Sequence, residues 1–278
     1  MSATKRNDDS PLLQLAVVLI LFTDHRSKAI QDLDKACEEW GFFMVVNHGI
    51  PEQLMRAVID VTNEFFNLPD EEKPEFQPQN VLEPIREVVT EYCKRSREVV
   101  RKLLRGISES LGIEESEMEK SLGLDSSLQI FIANLYPRCP NPDAAVGIAP
   151  HSDHGLFTLL IQNQVAGLHI QHKGNWVHVT PRPNSILVNT GDHLQIFSNG
   201  KYKSVLHRAV VNKMKARISI AVANGPSADT VVSPAPRLLQ TQGCRPAYVP
   251  MQYKDYLLAQ QSNQLNGKSI LQRVQIQD

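Results

Sequence analysis

Three side chains in this sequence can together hold a transition-metal ion. His151, Ser152 and Asp153 form an H-x-D triplet. Residues i and i+2 of an extended chain point to the same side, so an imidazole and a carboxylate can converge on one ion. His207 follows much later, inside Lys203-Ser204-Val205-Leu206-His207-Arg208, in the same β-rich half of the chain. Two histidines and one carboxylate cover one face of an octahedron and leave the other positions open, the arrangement of non-haem Fe(II) oxygenases. Taken alone, the triplet equally describes a turn histidine hydrogen-bonded to Asp153. The segment Arg217-Ile218-Ser219 adds weight. Its first and third residues share a strand face, where a guanidinium can grip a carboxylate bidentately and the hydroxyl adds a further hydrogen bond. The following residues to Ala223 are apolar, and a charged Arg in such a strand needs a partner.

These residues need a scaffold, and the composition supplies one. The chain has 278 residues, 42% apolar and 21% charged, enough for a substantial core. Lys and Arg total 29 against 30 acidic residues, a net charge of −1, which argues against nucleic-acid binding through bulk charge. Cys37, Cys93, Cys139 and Cys244 are scattered and contain no C-x-x-C, so reduced thiols in the cytoplasm are expected rather than a disulfide framework or zinc ribbon. The apolar run Leu12–Phe22 is shorter than the ~20 residues a membrane helix needs and lacks a basic leader and small-residue cleavage site. It is expected to be a buried strand, with no membrane association.

Residues 1–120 are expected to form a mainly helical region packed on the core. Ser27 is a candidate cap for a helix ended by Gly41, with Leu33, Ala36, Cys37 and Trp40 on its apolar side. Residues 41–46 follow as a strand and Asn47-His48-Gly49 as a turn; Pro51 opens a second helix that Leu68-Pro69 closes. Residues 70–84 are a break. A long helix is expected over 84–111, its Lys94, Arg95, Arg97, Arg101, Lys102 and Arg105 forming a solvated face offset by Glu91, Glu98 and Glu109. Residues 121–278 have a different texture. Short β-rich runs recur at 128–136, 156–162, 167–171, 175–179, 185–189, 193–198, 204–211 and 216–223, without helices between them. Such spacing points to a sandwich, barrel or jelly roll. A last helix is expected over 251–262, then a polar, frayed tail.

On these residues the sequence resembles the plant soluble iron(II)/2-oxoglutarate-dependent dioxygenases, the group of flavonol synthases, gibberellin oxidases and hyoscyamine hydroxylase, with an isopenicillin N synthase-like fold. The resemblance is carried by Trp40-Gly41-Phe42-Phe43, Val46-Asn47-His48-Gly49-Ile50, Asn134-Leu135-Tyr136-Pro137, His151-Ser152-Asp153-His154-Gly155, Gly167-Leu168-His169, Gly174-Asn175-Trp176, Asn189-Thr190-Gly191-Asp192, Ser198 to Ser204, His207-Arg208 and Arg217-Ile218-Ser219. It implies a mixed α/β chain with a mainly β core, a double-stranded β-helix (jelly roll) flanked by N-terminal helices and a C-terminal helix. It also implies His151, Asp153 and His207 as Fe(II) ligands. Arg217 and Ser219 match the pair that binds the distal carboxylate of 2-oxoglutarate, Tyr136 helps hold it, and Asn134 lies near its keto-acid end. The implied reaction consumes 2-oxoglutarate and O₂, with ascorbate as reductant, and releases succinate and CO₂. It hydroxylates, desaturates, cyclises or demethylates a small plant metabolite or hormone. The expected enzyme is a monomer whose partner is that small molecule.

The sequence departs from this pattern at Leu135, where an aromatic is usual, at its opening strand, and at Gln77 to Pro84, where relatives carry several tens of additional residues. Phe131, Leu135, His154, Ala223 and Gly225 are the expected pocket lining, the small residues leaving room for a bulky ring. His169, His172, His178 and His193 are expected on strand surfaces, His48 and Asp192 in turns, and Trp176 in the core. Three alternatives stay open at this level: an iron oxidase of the same fold that does not use 2-oxoglutarate, a non-catalytic small-molecule binder, and, least favoured, a zinc hydrolase on the same three ligands.

Overall fold

The computed structural model describes residues 18–20, 26–69, 71, 73, 83–142, 145–262 and 269–277. Helix α1 (Arg26–Glu39) leads into β2 (Phe42–Val46), after the short β1 (Val18–Ile20). Then come α2 (Glu52–Asn67), α3 (Glu83–Leu111) and α4 (Glu115–Leu122). The β-rich half runs through β3 (Gln129–Tyr136), β4 (Ile148–His151), β5 (Phe157–Gln162), β6 (Leu168–His172), β7 (Asn175–Val179) and β8 (Ile186–Thr190). It continues with α5 (Asp192–Phe197), β9 (His207–Ala209), β10 (Arg217–Asn224) and β11 (Val231–Val232), then α6 (Pro236–Gln242), β12 (Met251–Gln252), α7 (Tyr253–Ser262) and α8 (Ser269–Val274). Most of the Leu12–Phe22 run and of the 70–84 break lies outside the described residues.

Two sheets face each other as a jelly roll. The larger has the order β1-β2-β8-β5-β10-β3 and the smaller β4-β9-β6-β7, with β11 and β12 forming a separate ribbon. The β1–β2 pair is parallel and all other pairs are antiparallel. Both faces of the large sheet are covered, which is why β2 is apolar throughout rather than alternating and every residue of β8 is buried. Phe43, Val45, Leu159, Ile161, Ile186, Val188, Ile220 and Val222 face the helices and share one core with Val58, Leu103 and Ile107. Phe42, Met44 and Leu187 turn the other way and pack between the sheets against Leu168, Ile170, Val177 and Val179. The N-terminal region thus supplies an internal strand, β2, as well as covering helices.

Several expectations need correction. Residues 193–198 form most of α5, not a strand. Every apolar side chain of this short helix is buried, as is His193, so its sequence mimics a buried strand. Gly191, at its N-terminus, packs against the Gly155 backbone, where a Cβ would collide. The expected strand over 204–211 shrinks to His207–Ala209. The tail is not frayed: α8 buries Ile270, Leu271 and Val274. Ser27 lies inside the first turn of α1 rather than capping it.

Elsewhere the local chemistry acts as read. Gly41 ends α1 at φ +62 and donates to Ala36 O, an αL stop. Leu68, extended before Pro69, ends α2. His48 accepts the Ile50 amide in its turn. Arg95 pairs with Glu91 along α3, and Arg105 pairs with Glu115. The four cysteines are free thiols. Among the described residues, no helix is long and apolar enough to cross a membrane.

Gly41 gives a stability test. A Cβ there would sit 2.7 Å from Val205 Cγ2 and against Lys203 O, on a backbone that L residues adopt at a cost of about 1–2 kcal/mol. Gly41→Ala is expected to lower the unfolding free energy by more than about 2 kcal/mol in urea titrations. A change within about 0.5 kcal/mol would refute this account of the β2–Val205 junction.

Candidate active site

The pairing of β4 with β9 sets His151 directly opposite His207, across a register irregularity between Ile148 and His151. Asp153, just past the strand, brings its carboxylate under both rings. His151 Nε2 is 3.7 Å and His207 Nε2 3.5 Å from Asp153 Oδ1. One ligand atom from each residue falls within 4.8 Å of the others. Each ring is oriented from its far side. His151 Nδ1 donates to Ala149 O at 2.8 Å, and His207 Nδ1 to Val205 O at 3.2 Å. Carbonyls only accept, so both Nδ1 atoms carry the proton, and in the neutral rings Nε2 presents a bare lone pair. Burial opposes ionisation of Asp153. The His207 and His151 charges and the Asn189 amide outweigh it and hold the carboxyl well below the usual range. Burial likewise pushes His207 toward its neutral form, more than Asp153 restores. Two imidazole lone pairs facing one carboxylate oxygen are a donor set for a divalent ion.

The second half of the site comes from β10 and β3. Their antiparallel register places Arg217 opposite Tyr136 and Ser219 opposite Asn134. Arg217 is 1% exposed, among the largest fully buried side chains. Its Nε and a terminal nitrogen donate to Gln162 Oε1 at 2.8 and 2.6 Å, and its guanidinium lies 4.9 Å from the Tyr136 ring centre. Gly167 makes room for it: a Cβ would come within 2.8 Å of Arg217 Cδ. The remaining terminal nitrogen, Nη1, is buried without a hydrogen-bond partner. No carboxylate pairs with this cation among the described residues, so the arrangement suits an anionic ligand.

Both halves open onto one cavity of about 320 Å³. Asn134, Tyr136, His151, Asp153, His154, His207, Arg217, Ser219 and Ala223 line it. Phe131, Leu135 and Gly225 do not. On β3 the even-numbered residues Ile132, Asn134 and Tyr136 face the cavity, so period-two alternation turns Phe131 and Leu135 away, Phe131 onto the helix-side core. Gly225 instead accommodates the Tyr253 ring, which a Cβ would strike. A larger cavity of about 440 Å³ lies under α2 and shares Leu160 and Leu187 with this one, but holds no converging ligand set among the described residues.

Sequence reasoning left several supporting residues unassigned. Asn189 on β8 donates to Asp153 Oδ2 at 2.8 Å. Gln162 positions Arg217. Gln260 of α7 donates to Ser152 O at 3.1 Å and lines the cavity. Tyr253 meets His154 Nδ1 at 2.7 Å. Asn189 lies in a motif already noted, and its parity with Leu187 on an inward face was the available signal; Gln260 and Tyr253 have none. His193 is not on a surface but fully buried in α5, and burial pushes it down to about 3. His169 is buried too, its ring 4.0 Å from that of His178. His172 stacks on Trp40, and Arg208 covers Trp176. Asp192 is a buried acceptor for Ser152 and Tyr256.

Residues 127–226 match the family model of the 2OG-Fe(II) oxygenase superfamily, and residues 11–116 match that described as non-haem dioxygenase in morphine synthesis N-terminal. The chain is 40% identical to 2-oxoglutarate-dependent dioxygenase 19 of Oryza sativa subsp. japonica over 304 aligned positions, covering 96% of this chain and 90% of the relative. It is 33% identical to flavonol synthase/flavanone 3-hydroxylase of Petunia hybrida, covering 88% and 83%. Both alignments exceed the stretch of this chain they cover, so each relative carries several tens of residues without a counterpart here. A crystal structure of JOX2 in complex with 2OG, Fe and JA superposes with a TM-score of 0.86 at 29% identity, covering 95% of this chain and 90% of that one. The dioxygenase for auxin oxidation in rice shares the fold, with a TM-score of 0.80 at 24% identity, covering 93% and 99%.

The hydrogen bond from Asn189 predicts a second effect. Removing the partner of a metal-binding carboxylate commonly weakens metal affinity 10–100-fold. Asn189→Ala is expected to do so in anaerobic Fe(II) titrations while leaving the circular dichroism spectrum unchanged. An affinity equal to wild type would show that Asn189 does not support Asp153.

Proposed function

Because the chain belongs to the 2OG-Fe(II) oxygenase superfamily, whose members use Fe(II), 2-oxoglutarate and O₂, we propose that the cavity lined by Arg217 and the three converging ligands is a complete dioxygenase site with a named role for each residue. His151, Asp153 and His207 hold the iron. Arg217 and Ser219 take the distal carboxylate of 2-oxoglutarate, Tyr136 packs against the guanidinium, and Asn134 stands nearer the keto-acid end. The observation that carries this reading is the unpartnered Nη1 of a buried Arg217 in the same cavity as three converging ligand atoms. Bound there, iron and 2-oxoglutarate supply an oxidant for an unactivated C–H bond, with succinate and CO₂ as by-products.

The chain's own residues do the rest. Gln162 fixes the plane of Arg217, so the free edge of the guanidinium points one way. Ile132, Ala221 and Ala223 form an apolar wall of the site, and the two alanines leave room for a ring system. The proposed substrate is a small plant specialised metabolite or hormone. We also propose a cytoplasmic monomer kept active by ascorbate, consistent with its free cysteines.

Fe(II) followed by 2-oxoglutarate, added to the metal-free protein without oxygen, is expected to give a weak visible charge-transfer band. Asp153→Ala should abolish it. Arg217→Ala should shift its 2-oxoglutarate dependence about 10–100-fold, the loss of a charge-assisted pair worth roughly 1.5–3 kcal/mol. No band at saturating 2-oxoglutarate would overturn the assignment.

A further inference from the structure

His154 is a polar, partly exposed side chain of the cavity that neither half of the site uses. His154 follows Asp153, and its ring lines the cavity. Its Nδ1 lies 2.7 Å from the Tyr253 hydroxyl. That hydroxyl is wedged against Gly225 and has no other hydrogen-bond partner, so it donates its proton to Nδ1. The tautomer of His154 is thereby fixed with the proton on Nε2. The ring is further held through its backbone, where His154 O accepts from His193 Nδ1. Nε2–H is therefore a donor fixed at the accessible edge of the ring. Gln260, its amide tied to Ser152 O, lines the same cavity.

The surroundings narrow what this donor recognises. Among the described lining residues the one guanidinium or ammonium group is Arg217, committed to the co-substrate. A second anion would find no other guanidinium or ammonium there to pair with, and the Asp153 carboxylate beside His154 is itself committed to the iron. Ile132, Ile148, Ala221 and Ala223 make much of the remaining wall apolar, and the Thr158 hydroxyl that also lines it is buried.

We infer that His154 determines substrate specificity by donating its Nε2–H to a carbonyl-type oxygen on a neutral, otherwise apolar substrate. The inference rests on the dioxygenase reading above and deepens it. Ketones, lactones, esters and amides satisfy it; free carboxylates and pure hydrocarbons do not.

The test uses protein loaded with Fe(II) and 2-oxoglutarate under nitrogen. Three probes share one bicyclic skeleton: 1-tetralone, tetralin and tetralin-1-carboxylate. Calorimetry is expected to show the ketone binding about 3–10-fold tighter than the hydrocarbon, the range for one neutral hydrogen bond. The carboxylate should bind no better than the hydrocarbon. In His154→Phe the ketone preference should fall to about one, and in His154→Gln, which keeps an amide donor, it should partly return. Tyr253→Phe leaves His154 in place but frees its tautomer, and should reduce the preference even if His154→Phe does not fold. Equal binding of ketone and hydrocarbon by the wild type, or no binding of either, would overturn the inference. So would an undiminished preference in His154→Phe, or tightest binding of the carboxylate. The visible band of the same samples separates the two levels. If the band is absent, the dioxygenase assignment fails. If it is present without a ketone preference, only the role of His154 fails.

Discussion

Three lone-pair donors held within 4.8 Å of one another repel, and much of the surrounding structure serves to offset that repulsion. Two backbone carbonyls pull the imidazole protons to the far side of each ring. An amide from β8 takes the second carboxylate oxygen. The loop carrying Asp153 is held in turn: Asp192 N donates to Asp153 O, and Ser152 Oγ donates to the Asp192 carboxylate. Apart from Ala149 on β4, none of these partners belongs to a ligand strand. Four separate elements must be in register before the three atoms can face one another, so the site reports the integrity of the whole sandwich.

The same logic governs the opposite charge. Arg217 is buried on an inward strand face with a neutral amide, an aromatic ring and a glycine around it. Those neighbours orient a cation without neutralising it. An ion pair within the chain would have been more comfortable for the folded protein and would have blocked the anion.

Sequence patterning revealed the site better than its supports. Arg217 and Ser219, which share a strand face, were legible because period two is visible in one dimension, whereas Asn134 and Tyr136 came from the family resemblance alone. The same rule, applied to Phe131 and Leu135, would have excluded them, since they have the opposite parity to Asn134. What was not legible depended on distant partners. Gln162 bonds Arg217, and Tyr253 bonds His154, from positions whose local sequence carries no chemical signal. The α5 error has the same origin: burial on every side removes the polar face that distinguishes a helix from a strand. The tail was misread because Ile270, Leu271 and Val274 are few, and only the docking surface shows that they suffice.

Helix α7 has a consequence for how the protein comes into being. Tyr253, Tyr256 and Gln260 all lie on α7, and they reach back to His154, Asp192 and Ser152. During ribosomal synthesis His151, Asp153 and His207 emerge before these residues do. Until α7 has docked, the loop that carries Asp153 lacks two of its side-chain anchors, and Asp192 lacks its bond from Tyr256. The nascent chain therefore exposes an unfinished site that gains its final rigidity only after α7 has emerged and docked.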